Sequence, residues 1–300
     1  SLIFSSLAGL YFPMFEMLPL VYTECLAWFL ITVVCHFFIR FFKEGKKSIK
    51  YGLYSALALA FLAMTKVIFG YVILGMILIS LLLYVFPSFY RTAKRLLLIF
   101  SLALGFCLPY LFYTYHLTKK PFYWTNSAGV SLYTMSSPYP EELGDWSNLD
   151  ELTRNFRHAD FIDSIKQMGA LEQDEAFKSM ALKNIRNHPT KYLMNWLANI
   201  GRLFFSYPFS KTNQTLDTYF AMLPNMFLMV FVIVSLFLGI VQARHVPHEM
   251  FLLLVFVLIY LAGSTFVSAY RRMFYITVPF WFLFIAYIFN HFLLIRIKPQ

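Results

Sequence analysis

Long apolar runs broken by short polar stretches make up most of the chain. Runs of bilayer-spanning length occupy Leu20–Phe42, Tyr51–Thr65, Phe69–Phe86, Leu96–Tyr115, Met222–Val241, Met250–Ser268 and Phe274–Leu294. Hydrocarbon leaves no water for backbone N–H and C=O groups, so such runs are expected as helices. The second and third are short and meet at Thr65-Lys66-Val67-Ile68. Together they are too long for one crossing, which predicts a tight helical hairpin. Between the fourth and fifth runs the pattern changes. PFYWTNSAGVSLYTMSSPYPEELGDW is rich in Gly, Pro, Ser, Asn and aromatics and reads as an irregular loop. Phe177, Ala181 and Ile185 then recur at helical spacing, and Pro189 is placed to end that helix and open the next. Tyr192, Leu193, Trp196, Leu197, Ile200 and Phe204 form an amphipathic stripe suited to a membrane surface.

The expected fold is an all-α polytopic membrane protein. Residues 1–115 hold the N-terminal part of a transmembrane bundle, about four spans. Residues 116–220 hold an extracytoplasmic segment, part loop and part helix, ending in an interfacial helix. Residues 221–300 hold about three further spans. Composition agrees: 59 % of residues are hydrophobic and only 13 % are charged, against about a quarter in a soluble domain. Cys25, Cys35 and Cys107 all fall inside apolar runs and read as small buried residues with no disulfide or metal framework. The chain opens on Ser1, and Ser1–Tyr11 reads as the tail of a helix without a charged n-region or cleavage site. An N-terminal part of the protein is therefore expected upstream.

Charge sets the expected orientation. Lys and Arg accumulate in short cytoplasmic loops. Arg40, Lys43, Lys46, Lys47 and Lys50, then Arg91, Lys94 and Arg95, then Arg244, then Arg296 and Lys298 fall on one face if the hairpin is real. Lys66, the segment His116–Phe220 and the YRR turn at Tyr270–Arg272 then lie on the other, extracytoplasmic face. The net charge of +10 is mostly this bias and gives no reason to expect nucleic acid. His116–Lys191 holds ten of the fifteen acidic residues and nine basic ones, so it is nearly neutral.

Lys66, Arg271 and Arg272 are cations at helix ends where the orientation rule gives them no role. One account is snorkelling to the headgroups. The other is a site for a phosphate or pyrophosphate at the membrane boundary, where Arg supplies a bidentate fork and Lys a point charge. Glu24, deep in PLVYTECLAWFL, is either a functional acid or a carboxylate favoured by its helix N-terminus; Glu16 is similar and less deep. His116, His158 and His188 have no metal-ligand spacing and read as surface histidines. Asn213-Gln214-Thr215 fits a glycosylation acceptor pattern. No phosphate-binding glycine loop, zinc signature or nucleophile elbow is present.

Several stretches resemble one family. AGLYFPMFEMLPLVYTECLAWFL resembles the Thr-Glu span of the GT-C superfamily of polytopic glycosyltransferases, which includes protein O-mannosyltransferase, aminoarabinose transferase and Rgt-type branches. YGLYSALALAFLAMTKVIFGYVILG is similar to the family's hairpin, with Lys66 at the basic position and Val67 replacing the usual proline. NSAGVSLYTMSSPYP resembles a Gly-containing outer loop, IRNHPTKYL the family's His-Pro helix, and YRRMFYITVPFWFLFIAY its late Arg-Tyr span. Counting back from Pro279 puts Arg272 on the family arginine; Met273 and Ile276 depart from the family's Tyr and first Pro.

The resemblance implies transfer of a sugar from a polyprenyl-phosphate carrier to an acceptor on the extracytoplasmic side of a bacterial inner or plasma membrane, as part of the cell envelope. The acceptor is a lipid, a glycan or a protein. Lys66 and Arg272, with Arg271 beside it, are expected to hold the donor phosphate, and Glu24 to shape the site. The general base is expected upstream of this chain, so no catalytic residue is assigned within it. A divalent metal is compatible with such chemistry, but no residue pattern here indicates one. The expected partners are the sugar donor and membrane lipids. One alternative is an O-antigen polymerase or ligase, which would use arginines and a large outer loop on a lipid pyrophosphate. Another is a transporter or flippase, which should show charged or Gly/Pro-broken helices near the midplane; here the charges sit at helix ends.

Overall fold

The computed structural model describes residues 2–17, 23–44, 49–210 and 215–292. Ser1, residues 20–22, Lys46, Lys47, Asn213, Gln214, Leu294, Arg296 and Lys298, named above, lie outside them. Among the described residues the regular elements are all helical. In order they are α1 (Leu2–Leu10), α2 (Phe12–Met17), α3 (Thr23–Lys43), α4 (Ile49–Thr65), α5 (Ile68–Tyr84), α6 (Tyr90–Thr118) and α7 (Ala128–Met135). There follow α8 (Leu149–Arg154), α9 (Phe156–Ile165), α10 (Ala170–Asn187), α11 (Pro189–Phe205), α12 (Leu216–Val241), α13 (His248–Thr265) and α14 (Arg271–Phe292). Of the described helices, α3, α6, α12, α13 and α14 provide five segments long and apolar enough to cross a membrane, and α4 and α5 are apolar helices of 17 residues each. The protein is an all-α, multi-pass membrane protein. The chain divides into two compact units: residues 1–108, 223–260 and 274–300, and residues 109–222 and 261–273.

In the first unit α3 and α4 pair closely and antiparallel. Small residues on α4 (Gly52, Ser55, Ala56, Ala60 and Ala63) are buried and let the backbones approach. A Cβ on Gly52 would lie 2.8 Å from the Phe41 ring. The direction of α5 follows from α6. Arg95 Nη1 of α6 donates to the Phe42 carbonyl at the end of α3 (3.0 Å), while Cys107 of α6 lies against the Ala60 carbonyl of α4 (3.9 Å). So α6 runs parallel to α4, and α5 must return between them. The expected hairpin is present, and i→i−3 bonds from Phe69 to Lys66 and from Gly70 to Val67 close it. Val67, at φ −47° and ψ −36°, makes the turn without a proline.

This geometry also sorts the charges. Arg40 and Lys43 end α3, Lys50 opens α4, and Arg91, Lys94 and Arg95 open α6, all at one end of the unit. Tyr287 near the end of α14 donates to the carbonyl of His245, beside Arg244. Arg40 shares a cavity with His291. The described members of the basic clusters therefore gather at one end, with Lys66 at the other.

The second unit has its own small core of Tyr133, Leu152, Ile162, Ile165, Phe177 and Ala181. The stretch read as an irregular loop contains a helix, α7. It escapes the loop composition because Gly129 brings its first turn against α10: Gly129 N–H donates to Asp174 Oδ1 (2.6 Å), and a Cβ there would lie 2.3 Å from the Asp174 carbonyl. As expected, Pro189 separates α10 from α11.

Candidate functional site

Two of the sequence-derived site residues meet in the first unit. Glu24 lies in the first turn of α3, and Lys66 follows the last residue of α4. The antiparallel pairing of α3 with α4 carries these two termini to the same level, and Lys66 Nζ donates to Glu24 Oε1 at 2.8 Å. The carboxylate is almost sealed, with 4 % of its side chain exposed, while Lys66 keeps 22 %. A buried carboxylate is costly unless paired. Here the cation and the helix N-terminus compensate it together. Glu24 therefore does more than occupy a favourable helix end: it fixes the Lys66 ammonium in place.

Arg271 and Arg272 belong to the second unit. They open α14, and the turn before them is held by polar side chains from elsewhere in that unit. Asn199 of α11 donates to the carbonyls of Thr265 (2.8 Å) and Val267 (2.7 Å) and accepts from Ala269 N–H (2.8 Å). Ser268 Oγ hydrogen-bonds the Gly144 carbonyl (2.8 Å) and Thr134 Oγ1 (2.9 Å). The Arg272 guanidinium stands 5.6 Å from the centre of the Tyr270 ring. That ring stacks on Phe209 (6.1 Å, 29°), and its hydroxyl donates to the Trp146 carbonyl (3.3 Å).

Tyr270 is also a wall of a cavity of about 690 Å³. Trp146 and Phe209 supply further aromatic surface, and Glu142, Asp145 and Glu151 supply carboxylates, with Arg154 and His158 as the basic groups. Two of these groups are held firmly. Asp145 accepts from the Ser210 hydroxyl and from Ser210 N–H (3.3 Å). Glu142 accepts from the Ser137 hydroxyl (2.5 Å) and Asn155 Nδ2 (3.0 Å) and bonds His158 Nε2 (3.0 Å). Burial pushes the Glu142 carboxyl up, but the bonds from His158, Ser137 and Asn155 outweigh it and bring its pKa down to about 2.

His158 corrects an expectation. It is not a surface histidine: 2 % of it is exposed, and its other ring nitrogen bonds Tyr133 Oη at 2.7 Å. His116 and His188 are exposed. Among the described residues no group of three His, Cys, Asp or Glu side chains is arranged for a metal.

The face of α11 turned into the unit was also missed. The apolar stripe is mostly not buried: Leu193 and Leu197 are more than half exposed. The fully buried side chains are Leu203 and three polar ones, Asn195, Asn199 and Arg202. Asn195 donates to the carbonyls of Met135 (3.1 Å) and Ser137 (3.0 Å). Arg202 donates to Pro208 O (3.1 Å) and Leu143 O (3.0 Å). Spacings of four and three residues put all three on one helix face, and that polar spacing was the available signal. Gly144, at φ +76°, closes the same region: a Cβ would press on the Met135 carbonyl at 2.9 Å.

A second cavity, about 520 Å³, lies in the first unit between α3 and α14, with His36, Arg40 and His291 among apolar side chains. Compared with known proteins, the chain matches no family model, no curated protein and no solved structure.

Proposed function

We propose that the protein is a membrane glycosyltransferase of the GT-C type, moving a sugar from a polyprenyl-phosphate donor to an acceptor on the extracytoplasmic face. The reading is carried by the Glu24–Lys66 contact. The acid and the cation come from two separate motifs of the resemblance, 42 residues apart, and they meet at 2.8 Å. In this reading the end of the first unit that carries Lys66 is extracytoplasmic, and the end that gathers the basic clusters is cytoplasmic. Lys66 meets charge growing on the leaving phosphate oxygen, and Glu24 keeps the ammonium aimed until the anion competes for it. The resemblance puts Arg272, with Arg271 beside it, on the family arginine, whose guanidinium can offer a phosphate a bidentate fork.

The test is turnover of a polyprenyl-phosphate sugar by the full-length enzyme, normalised to folded protein. Lys66→Ala and Arg272→Ala should each lose about a hundredfold or more, the usual cost of one electrostatic donor. Arg272→Lys should fall between, having charge without the fork. A purely structural ion pair makes a different prediction: Glu24→Leu with Lys66→Met would be stable and turn over normally. That result would refute the donor-phosphate reading. Orientation is checked separately. A cysteine at exposed Ser127 should react from outside with an impermeant thiol reagent, and one at exposed Ile49 should not.

A further inference from the structure

The cavity of about 520 Å³ in the first unit has one polar end and one apolar end. Thr32, Cys35, His36, Ile39 and Arg40 recur at helical spacing and share one face of α3. Pro279, Leu283, Ala286, Asn290 and His291 share a face of α14 in the same way. Both helices run toward the end where the basic clusters gather. Arg40, Asn290 and His291 therefore stand at that end of the groove, with His36 one turn below. Further in, the walls are Cys35, Ala286, Leu283 and Pro279. The hydroxyl of Thr32, furthest in on α3, donates to the Trp28 carbonyl of its own helix (2.9 Å). At about 1.5 Å per residue the groove extends about 12 Å along α3 and about 18 Å along α14. A hydrocarbon core is about 30 Å thick. The groove thus has the depth of one leaflet, with its polar groups gathered at the mouth.

The groups at the mouth keep capacity for a ligand. Arg40 makes only loose contacts: its Nε stands 3.8 Å from Glu44, and its Nη1 lies 3.4 Å from the Tyr51 hydroxyl. Arg40 and Glu44 are both nearly half exposed, at 48 % and 43 %, and a pair of that kind holds weakly. The Tyr51 ring covers one face of the guanidinium (5.4 Å) and leaves its Nη2 edge to an anion. His291 commits Nδ1 to the Tyr287 carbonyl (2.8 Å) and keeps Nε2. Among the described residues no hydrogen bond engages the side chains of His36 or Asn290. Seven described basic residues, from Arg40 to Arg244, gather at this end against Glu44 and Glu249, so the positive surplus is not cancelled.

We infer that this groove binds one anionic phospholipid from the leaflet at the basic end, its phosphate on Arg40 and an acyl chain along Cys35, Leu283 and Pro279. Basic pockets between membrane helices attract such headgroups, an arginine edge suits phosphate oxygens, and the apolar walls suit the chain. The site lies at the end of the unit opposite Lys66, and the inference stands without the transferase reading.

The experiment is native mass spectrometry of the delipidated full chain in detergent, titrated with phosphatidylglycerol and with phosphatidylcholine of the same acyl chains. The first should bind at least about tenfold tighter, which is about 1.4 kcal/mol. Arg40→Gln should remove about that much. Lys94→Gln takes one charge from an exposed position at the same end, outside the groove, and should cost less than about twofold. Glu44→Gln removes the competing carboxylate and should not weaken binding. Leu283→Trp fills the groove without changing charge and should weaken phosphatidylglycerol about tenfold; Ile39→Trp serves the same purpose if Leu283→Trp does not elute as a folded species. Glycerol phosphate at millimolar concentration should not displace the lipid. Equal binding of the two lipids would overturn the inference. So would an effect of Lys94→Gln as large as that of Arg40→Gln, which would mean diffuse surface charge, or weaker binding in Glu44→Gln. Full binding to the groove-filling variants would remove the acyl chain from the groove, and displacement by glycerol phosphate would make this a site for free phosphate; either result refutes the lipid assignment.

Discussion

The two units solve opposite solvation problems. In the first, apolar side chains lie both inside and outside: Phe38, Leu59, Phe69 and Phe284 are buried, while Leu78, Leu82, Phe227 and Phe237 are exposed. That distribution suits hydrocarbon surroundings, where the helices satisfy their own backbone. There the paired charge of Glu24 and Lys66 sits at helix ends. In the second unit the chain between helices is long and irregular, so its carbonyls need partners. Polar side chains provide them: Asn195, Asn199 and Arg202 are fully buried, and together they reach the carbonyls of Met135, Ser137, Leu143, Pro208, Thr265 and Val267. The comparison teaches that a buried polar residue has a different meaning in each. In the first unit it is costly and suggests function. In the second it is the framework, and function must be sought in the cavity that the framework holds open.

The sharpest way to break the comparison is Arg202→Ala. Arg202 carries a charge with no surface exposure; burial pulls its pKa down and the Asp145 charge opposes that pull. Its removal orphans the Pro208 and Leu143 carbonyls, at about 1–3 kcal/mol each. The second unit should lose about 4 kcal/mol, read as earlier proteolysis between α7 and α11 and faster amide exchange there. Loss below about 1 kcal/mol would mean that water or neighbouring groups take over those carbonyls, and the framework account would fail.

Next in size is a pH effect confined to the second unit. Glu142 titrates near 2 when folded, against an ordinary 4.5. Folded, it binds fewer protons than unfolded, so its contribution is complete above pH about 4.5 and drains away as pH falls toward 2. The depression corresponds to at most about 3 kcal/mol. Acid should therefore loosen the Tyr133–His158–Glu142 region before the α3–α4 pair, followed by amide exchange at stepped pH. Glu142→Gln should be less stable at pH 7 and lose that acid response. An unchanged acid response in the variant would assign the transition to other carboxylates.

What the sequence disclosed follows the same division. The seven apolar runs, the break at Lys66 and the stop at Pro189 are local: each is written in consecutive residues, through length, charge or a missing N–H. The Glu24–Lys66 contact was half legible. Each residue drew notice alone, but their meeting depends on small residues along α4 that let it close on α3. His158 and the α11 triad were not legible. The partner of His158 is Glu142, 16 residues earlier, and Asn199 bonds carbonyls more than 60 residues away. A polar residue at helical spacing normally faces water. Only the surrounding loops, whose courses no local pattern specifies, turn that face inward. The cavity was hidden for the same reason, since its walls come from Glu142–Asn155, His158, Phe209 and Tyr270.

The smallest expected effect concerns the other side of α11. Leu193, Met194 and Leu197 are each more than half exposed, although the helix belongs to the unit whose interior is polar. Against water such a face has no reason to be apolar; against lipid headgroups and upper acyl chains it does. Because these side chains pack on little within the protein, replacing all three with serine should change stability by no more than about 0.5 kcal/mol per site. A change several times larger would show that the face is packed against protein instead. The environment is read directly by a fluorophore on cysteine at Leu197, compared with one at Leu182 on α10, also exposed. A lipid-phase quencher should reach the first and leave the second. No quenching at Leu197 would remove the membrane contact. The exposed apolar face of α11 would then be an ordinary irregularity of a water-facing surface, and the contrast between the two units would hold along its whole length.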